Sequence, residues 1–120
     1  MYFLFTRMKT SRKEGDIKVK EKTMPAFVTI NHLDDYQGTM FFKVGDELIL
    51  KKDKDNEYDD EAIIVYDKHE TKSGYVANSV SSVIRGTSSA GRIYDKIEDG
   101  AKCMIRFIYT EEAVMIAELL

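Results

Sequence analysis

Apolar positions along this chain recur mostly with a period of two. Cys103, Ile105 and Phe107 alternate with Lys102, Met104 and Arg106, and Leu48 to Leu50 and Ile63 to Val65 are short apolar runs bounded by charged residues. Successive side chains of a strand point to opposite faces, so this spacing predicts half-buried strands rather than helices. Six such stretches are expected at Phe27–Ile30, Glu47–Lys52, Glu61–Tyr66, Lys72–Ala77, Ala101–Tyr109 and Ala113–Leu119. A seventh is expected near Ile17 and Val19, which alternate with Lys18 and Lys20 as in an edge strand blunted by lysines. Turn residues separate the strands at Gly45-Asp46, Asp53–Asp60, Asp67–Thr71 and Thr110–Glu112, while Asp34–Gly38 is a loop from which Phe41-Phe42 returns toward the core.

The period changes after Ala77. Val80, Val83 and Ile84 fall at i, i+3 and i+4 behind Asn78 or Ser79 as N-cap, with Gly86 as a stop. That spacing predicts a short helix whose apolar face plugs one end of a barrel. Ser88-Ser89 caps a second helical turn bearing Ile93, Tyr94 and Ile97, although Gly91 lies inside it. About seven short strands, one or two short helices and no alternation of strands with long helices predict an all-β fold, a small OB-like or SH3-like barrel.

Composition fits one domain over residues 1–120, with a core from 27 to 109, an N-terminal basic edge segment from 1 to 25 and a C-terminal strand from 113 to 119. The chain is 43% hydrophobic and 32% charged, with a single proline, which argues for a soluble folded domain. The apolar start Tyr2–Phe5 is interrupted by Thr6 and Arg7, too early for a signal peptide or a membrane span, so no membrane partner and a cytoplasmic location are expected. The net charge of −3 is unevenly spread. Residues 1–25 carry seven Lys or Arg against three Asp or Glu, residues 34–70 carry five against twelve, and residues 71–120 carry six of each. An acidic centre weakens nonspecific phosphate binding.

Candidate chemistry is sparse. Cys103 has no second cysteine to pair with and sits in an apolar alternation, which fits a buried strand residue better than a reactive thiol. His32 and His69 have no Cys or His at ligand spacing. Asp53, Asp55, Glu57 and Asp59 alternate as in a calcium loop, but Tyr58 stands where that loop requires glycine and Ile64 where it requires glutamate. No nucleophile with its base, phosphate-cradling glycine loop or dinucleotide fingerprint is present. These observations predict no cofactor, no metal site, no catalytic residues and a binding module rather than an enzyme. Tyr36, Tyr58 and Tyr75 occupy loop or strand-end positions. Rings placed there either stack on splayed bases, at about 1 to 3 kcal/mol each, or cover the core with the hydroxyl in water.

Several pieces in order resemble the HIRAN domain: Tyr36-Gln37-Gly38, Gly45-Asp46 before a strand, the basic strand end at Lys52, Asn56-Glu57-Tyr58-Asp59 followed by Ala62-Ile63-Ile64-Val65, and Gly74-Tyr75. The resemblance runs from about Phe27 to Ile108 and implies recognition of a single-stranded DNA 3′ end. Carried onto this sequence, it makes Tyr58 a stacking ring and Asp59 the acceptor for the terminal hydroxyl, with Asn56 ordering the loop and Tyr36, Lys52, Tyr75 and Asn78 completing the nucleic-acid-binding set. The chain also departs from the pattern. Asp34 and Asp35 stand where end binders carry an arginine and an aromatic, Asn78 replaces a basic residue, and Glu57 replaces a proline. A protein-interaction domain that meets a basic protein partner through its acidic face is the alternative. Because no ligand set is expected, chelator treatment should leave the melting temperature unchanged; a structural metal would contribute folding free energy directly, so a drop of several degrees would refute this.

Overall fold

The computed structural model describes residues 26–120. Six strands form one closed antiparallel barrel: β1 Phe27–Asn31, β2 Glu47–Lys52, β3 Ile63–Tyr66, β4 Lys72–Val76, β5 Ala101–Tyr109 and β6 Val114–Leu119. Around the barrel the order is β1-β4-β3-β2-β5-β6, and β6 returns to pair with β1 from Phe27↔Glu118 to Ile30↔Met115. These are the six expected strands, each within two residues of its predicted bounds. The edge strand expected near Ile17 lies outside the described residues.

The strands form where the alternation lies, and the alternation also sets their faces. Leu48 and Leu50 of β2, Ile63 and Val65 of β3, and Cys103 and Ile105 of β5 are fully buried in a single core with Val28, Ile30 and Met115. Burying side chains of this size contributes about 1.5 to 3 kcal/mol each. Burial also pushes the Cys103 thiol up to about 12, because a thiolate would be stranded without water. The cysteine is a packing residue.

One apolar position breaks the expected phase. Phe107 is 53% exposed, although it continues the Cys103, Ile105 alternation. Ile105 pairs with Ala117 while Phe107 pairs with the next residue, Ile116, so Arg106 is an extra residue on β5. Such a bulge turns the following residues over. Phe107 then faces solvent, and Ile108 packs against the core in its place.

A second correction concerns the helices. Residues 79–87 form turns, not the helix expected there, and Val80 is 99% exposed. The buried hydroxyl of Thr29 accounts for this: it accepts from Ile84 N at 3.1 Å and lies 2.8 Å from the Thr87 hydroxyl. Farther on, Ser88 N donates to Phe27 O at 2.7 Å, so the segment is drawn along β1 instead of coiling on itself. The weaker of the two helical signals is the one that forms. Helix α1, Ala90–Ile93, is capped by Ser89, whose hydroxyl accepts from Arg92 N at 3.3 Å. Ala90 and Ile93 are buried, and Tyr94 and Ile97 pack behind them.

Two substitutions check this packing. Val65→Asp should cost several kcal/mol, since it buries an unpaired carboxylate. At Gly74 an added methyl would lie 2.6 Å from the Asn31 carbonyl oxygen, and backbone must then move. Gly74→Ala should therefore lower stability by about 1 to 3 kcal/mol, measured by urea denaturation; an unchanged midpoint would show that β1 and β4 are not so closely apposed.

Candidate functional site

The acidic segment between β2 and β3 is held by one side chain. Asn56 Oδ1 accepts from Tyr58 N and Asp59 N, both at 2.9 Å, while its Nδ2 donates to Asp53 Oδ2 at 3.2 Å. The segment is thus a turn built on a side-chain amide. Tyr58 at its tip is 95% exposed, so the ring covers no core. Covering the core is excluded for this tyrosine by that figure.

Asp59 faces the other way. Its Oδ1 accepts from Glu61 N at 2.9 Å and its Oδ2 from Asn78 Nδ2 at 3.0 Å. Each oxygen retains a further lone pair. Asn78 in turn accepts from Gly91 N at 2.8 Å, so one amide ties the loop to the start of α1. A side chain at position 91 would meet Glu61 Oε1 at 2.5 Å and Asn78 Oδ1 at 3.2 Å. The glycine that disfavours the second helical turn in the sequence leaves α1 close against the loop, where a side chain would displace the end of Glu61 and crowd Asn78.

Between this loop, the ends of β1 and β4, and the segment after β4 lies a cleft of about 450 Å³. Asn56, Tyr58, Asp59, Tyr75 and Asn78 line it, together with Asn31, His32, Ala62, Val76, Ala77, Ser79 and Ser82. Five of the seven expected site residues are therefore brought together. Asp59 is the one carboxylate among the lining residues, so the cleft is far less acidic than the loop beside it. Asn31 Oδ1 is buried there with no hydrogen-bond partner. Asn31 and His32 reach the cleft because Asn31 pairs with Tyr75 across β1 and β4, a register that the sequence does not display.

Lys52 and Tyr36 are not in the lining. The Lys52 ammonium lies 4.8 Å over the Tyr94 ring, and its backbone N–H donates to Asp99 at 2.7 Å. Tyr36 is joined to the cleft indirectly, through Lys72. The Lys72 ammonium lies 4.9 Å from the Tyr75 ring centre and 5.5 Å from that of Tyr36. Lys72 escaped the sequence reading because strand alternation puts residues 72 and 75 on opposite faces. The pairing of β3 with β4 steps from Val65↔Gly74 to Tyr66↔Lys72, which leaves Ser73 unpaired, and Ser73 and Gly74 are buried in succession. That bulge returns Lys72 to the face of Tyr75.

Asp34 and Asp35 lie in a 3-10 turn after β1, outside the cleft lining, and Asp35 Oδ2 sits 3.1 Å from His32 Nδ1. Among the described residues no group of three or more His, Cys, Asp or Glu side chains is placed to hold a metal ion, and no helix is long and apolar enough to cross a membrane. The shared amide gives a direct test. Asn78→Ala removes two hydrogen bonds, one of them to a carboxylate, and should destabilise the protein by about 1 to 3 kcal/mol in denaturant titration; no loss would mean that α1 holds its place without the amide.

Comparison with known proteins comes to the same stretch of chain. The HIRAN domain model matches residues 26–110. A crystal structure of a protein from Lactobacillus plantarum matches with a TM-score of 0.56 at 17% identity, over 78% of this chain and 88% of that one, which shows a shared fold. No curated protein matches the sequence. The family match takes in five of the six barrel strands, all but β6, and the loop, the cleft and α1 with them; the chain belongs to the HIRAN domain family, and that membership points to nucleic-acid binding.

Proposed function

We propose that this protein is a non-catalytic module that binds the 3′ end of single-stranded DNA in the cleft beside Asp59. The observation that carries the reading is the pairing of a free ring with a fixed carboxylate. Tyr58 is almost fully exposed at the mouth of the cleft, while Asp59 is held from both oxygens at its wall. An aromatic face stacks on any base. A carboxylate accepts the proton of a free 3′ hydroxyl and repels the phosphate that continues a strand. Tyr75 gives a second ring in the same cleft, with its hydroxyl 3.4 Å from Asp53 Oδ2. Of the three tyrosines Tyr36, Tyr58 and Tyr75, the last two open onto one cleft and Tyr36 lies outside its lining; the convergence of those two supports nucleic acid over a basic protein partner on the acidic loop.

In titrations, short single strands ending in a 3′ hydroxyl should bind better than the same strands ending in 3′ phosphate, by about 1.5 to 3 kcal/mol, or roughly ten- to a hundredfold. Asp59→Asn should abolish the preference. Tyr58→Ala should weaken both strands alike, because stacking is indifferent to the terminus. If neither strand binds at low salt, where attraction to lysines is strongest, the end-binding reading fails and a basic protein partner takes its place.

A further inference from the structure

The cleft as lined contains no lysine or arginine, yet a strand entering it brings one phosphate per nucleotide. We infer that Lys72, held between the rings of Tyr36 and Tyr75, is the phosphate contact of this site and receives the backbone of the strand leading to the bound end. The inference rests on the end-binding reading and names the part of the ligand that the reading leaves without a partner.

Geometry supports it in two ways, and the charge state agrees. Tyr75 is shared: it lines the cleft and also carries the Lys72 ammonium. A strand crossing the Tyr75 side of the cleft therefore meets the lysine next, and Tyr36 beyond it. The ammonium also sits against both rings with no ligand present, at 4.9 Å and 5.5 Å from their centres, a placement that lowers the rotamer freedom left to lose on binding. An ammonium has three N–H donors, and attraction to ring faces leaves it able to donate to an oxyanion. Finally, the ammonium is held in its charged form. Tyr75 is the main cause of a pKa raised above the ordinary lysine value, partial burial opposes it, and Tyr36 adds to it.

The position also fits the charges around the cleft. Asp34 and Asp35 lie outside its lining and Asn78 lies within it. None of the three offers a positive charge here, and Asn78 is engaged with Asp59 and Gly91. Lys72 supplies a cation on the face of Tyr75 by way of the β4 bulge.

The experiment measures binding of a fluorescent deoxyoligonucleotide with a free 3′ hydroxyl across a series of salt concentrations, for the wild type, Lys72→Gln, Lys72→Arg and Lys51→Gln. Lys51 is the control because its ammonium also lies over a ring, 5.2 Å from the centre of Tyr66, but it does not line the cleft. Lys72→Gln should weaken binding roughly three- to tenfold at low salt and flatten the slope of log affinity against log salt by about 0.7, the value for one phosphate contact on a single strand. Its preference for 3′ hydroxyl over 3′ phosphate should stay as in the wild type, Lys72→Arg should restore the slope, and Lys51→Gln should change neither quantity. A wild type that shows end preference while Lys72→Gln keeps its affinity and slope overturns this inference and leaves the end-binding reading standing. Equal flattening in Lys51→Gln and Lys72→Gln also overturns it, since the effect would then be diffuse charge. Should Lys72→Gln not fold, the comparison of Lys72→Arg with Tyr36→Leu decides: removing one ring should weaken binding with the slope kept, and unchanged binding in Tyr36→Leu overturns the clamp. A wild type that binds no oligonucleotide removes the end-binding reading, and this inference with it.

Discussion

A sheet of six short strands leaves two rows of unpaired backbone groups unless its ends meet, and in this chain the meeting is made by the five residues of β1. That strand pairs with β6 over most of its length and with β4 only at Ile30 and Asn31. The remaining polar groups on its β4 side are taken by segments that are not strands: Ala77 N donates to Thr29 O at 2.8 Å, Ser88 N donates to Phe27 O, and Ser88 bridges to Val28. Closure of the barrel and placement of the 77–89 segment are thus one event. The cleft depends on it, because its walls are the end of β1, the end of β4 and the start of that segment.

This dependence explains what the amino-acid sequence disclosed and what it hid. Alternation marks a strand through local side-chain geometry, and Leu48, Leu50, Ile63, Val65, Cys103 and Ile105 all point where their spacing says. The misreadings fall where a distant backbone overrides a local signal. Phe107 kept the phase of its own strand, but β6 is one residue shorter across the bulge at Arg106. Val80, Val83 and Ile84 have helical spacing, but the hydroxyl that captures Ile84 N belongs to Thr29, fifty-five positions earlier. Gly91 argues against a helix on propensity alone, and its missing side chain leaves room for the Glu61 and Asn78 side chains beside α1.

For the site, the Asn56–Asp59 motif was readable because an Asx-type turn is a local device: the side chain and the N–H groups it binds lie within three residues. Tyr75 and Asn78 followed from the family pattern. Lys72, Asn31 and His32 did not, because their places depend on strand register and on a bulge. The acidity of residues 34–70 also misleads when taken as a sum. Most of those carboxylates lie on the outside of loops and turns, and Asp59 alone enters the cleft lining, so the cleft presents a nearly neutral wall beside a charged rim.

Asn78 gives one feature of this arrangement a wider reach. It bonds the carboxylate of the Asn56–Asp59 loop with one end of its amide and the start of α1 with the other. In the proposed end-binding site, recognition and cohesion share the same atoms. A variant at Asp59 or Asn78 would then alter how long the molecule survives as well as what it holds, and loss of activity in a cell would not by itself tell a broken site from a depleted protein. Tyr58, whose side chain is almost fully exposed, is the position at which the two effects come apart.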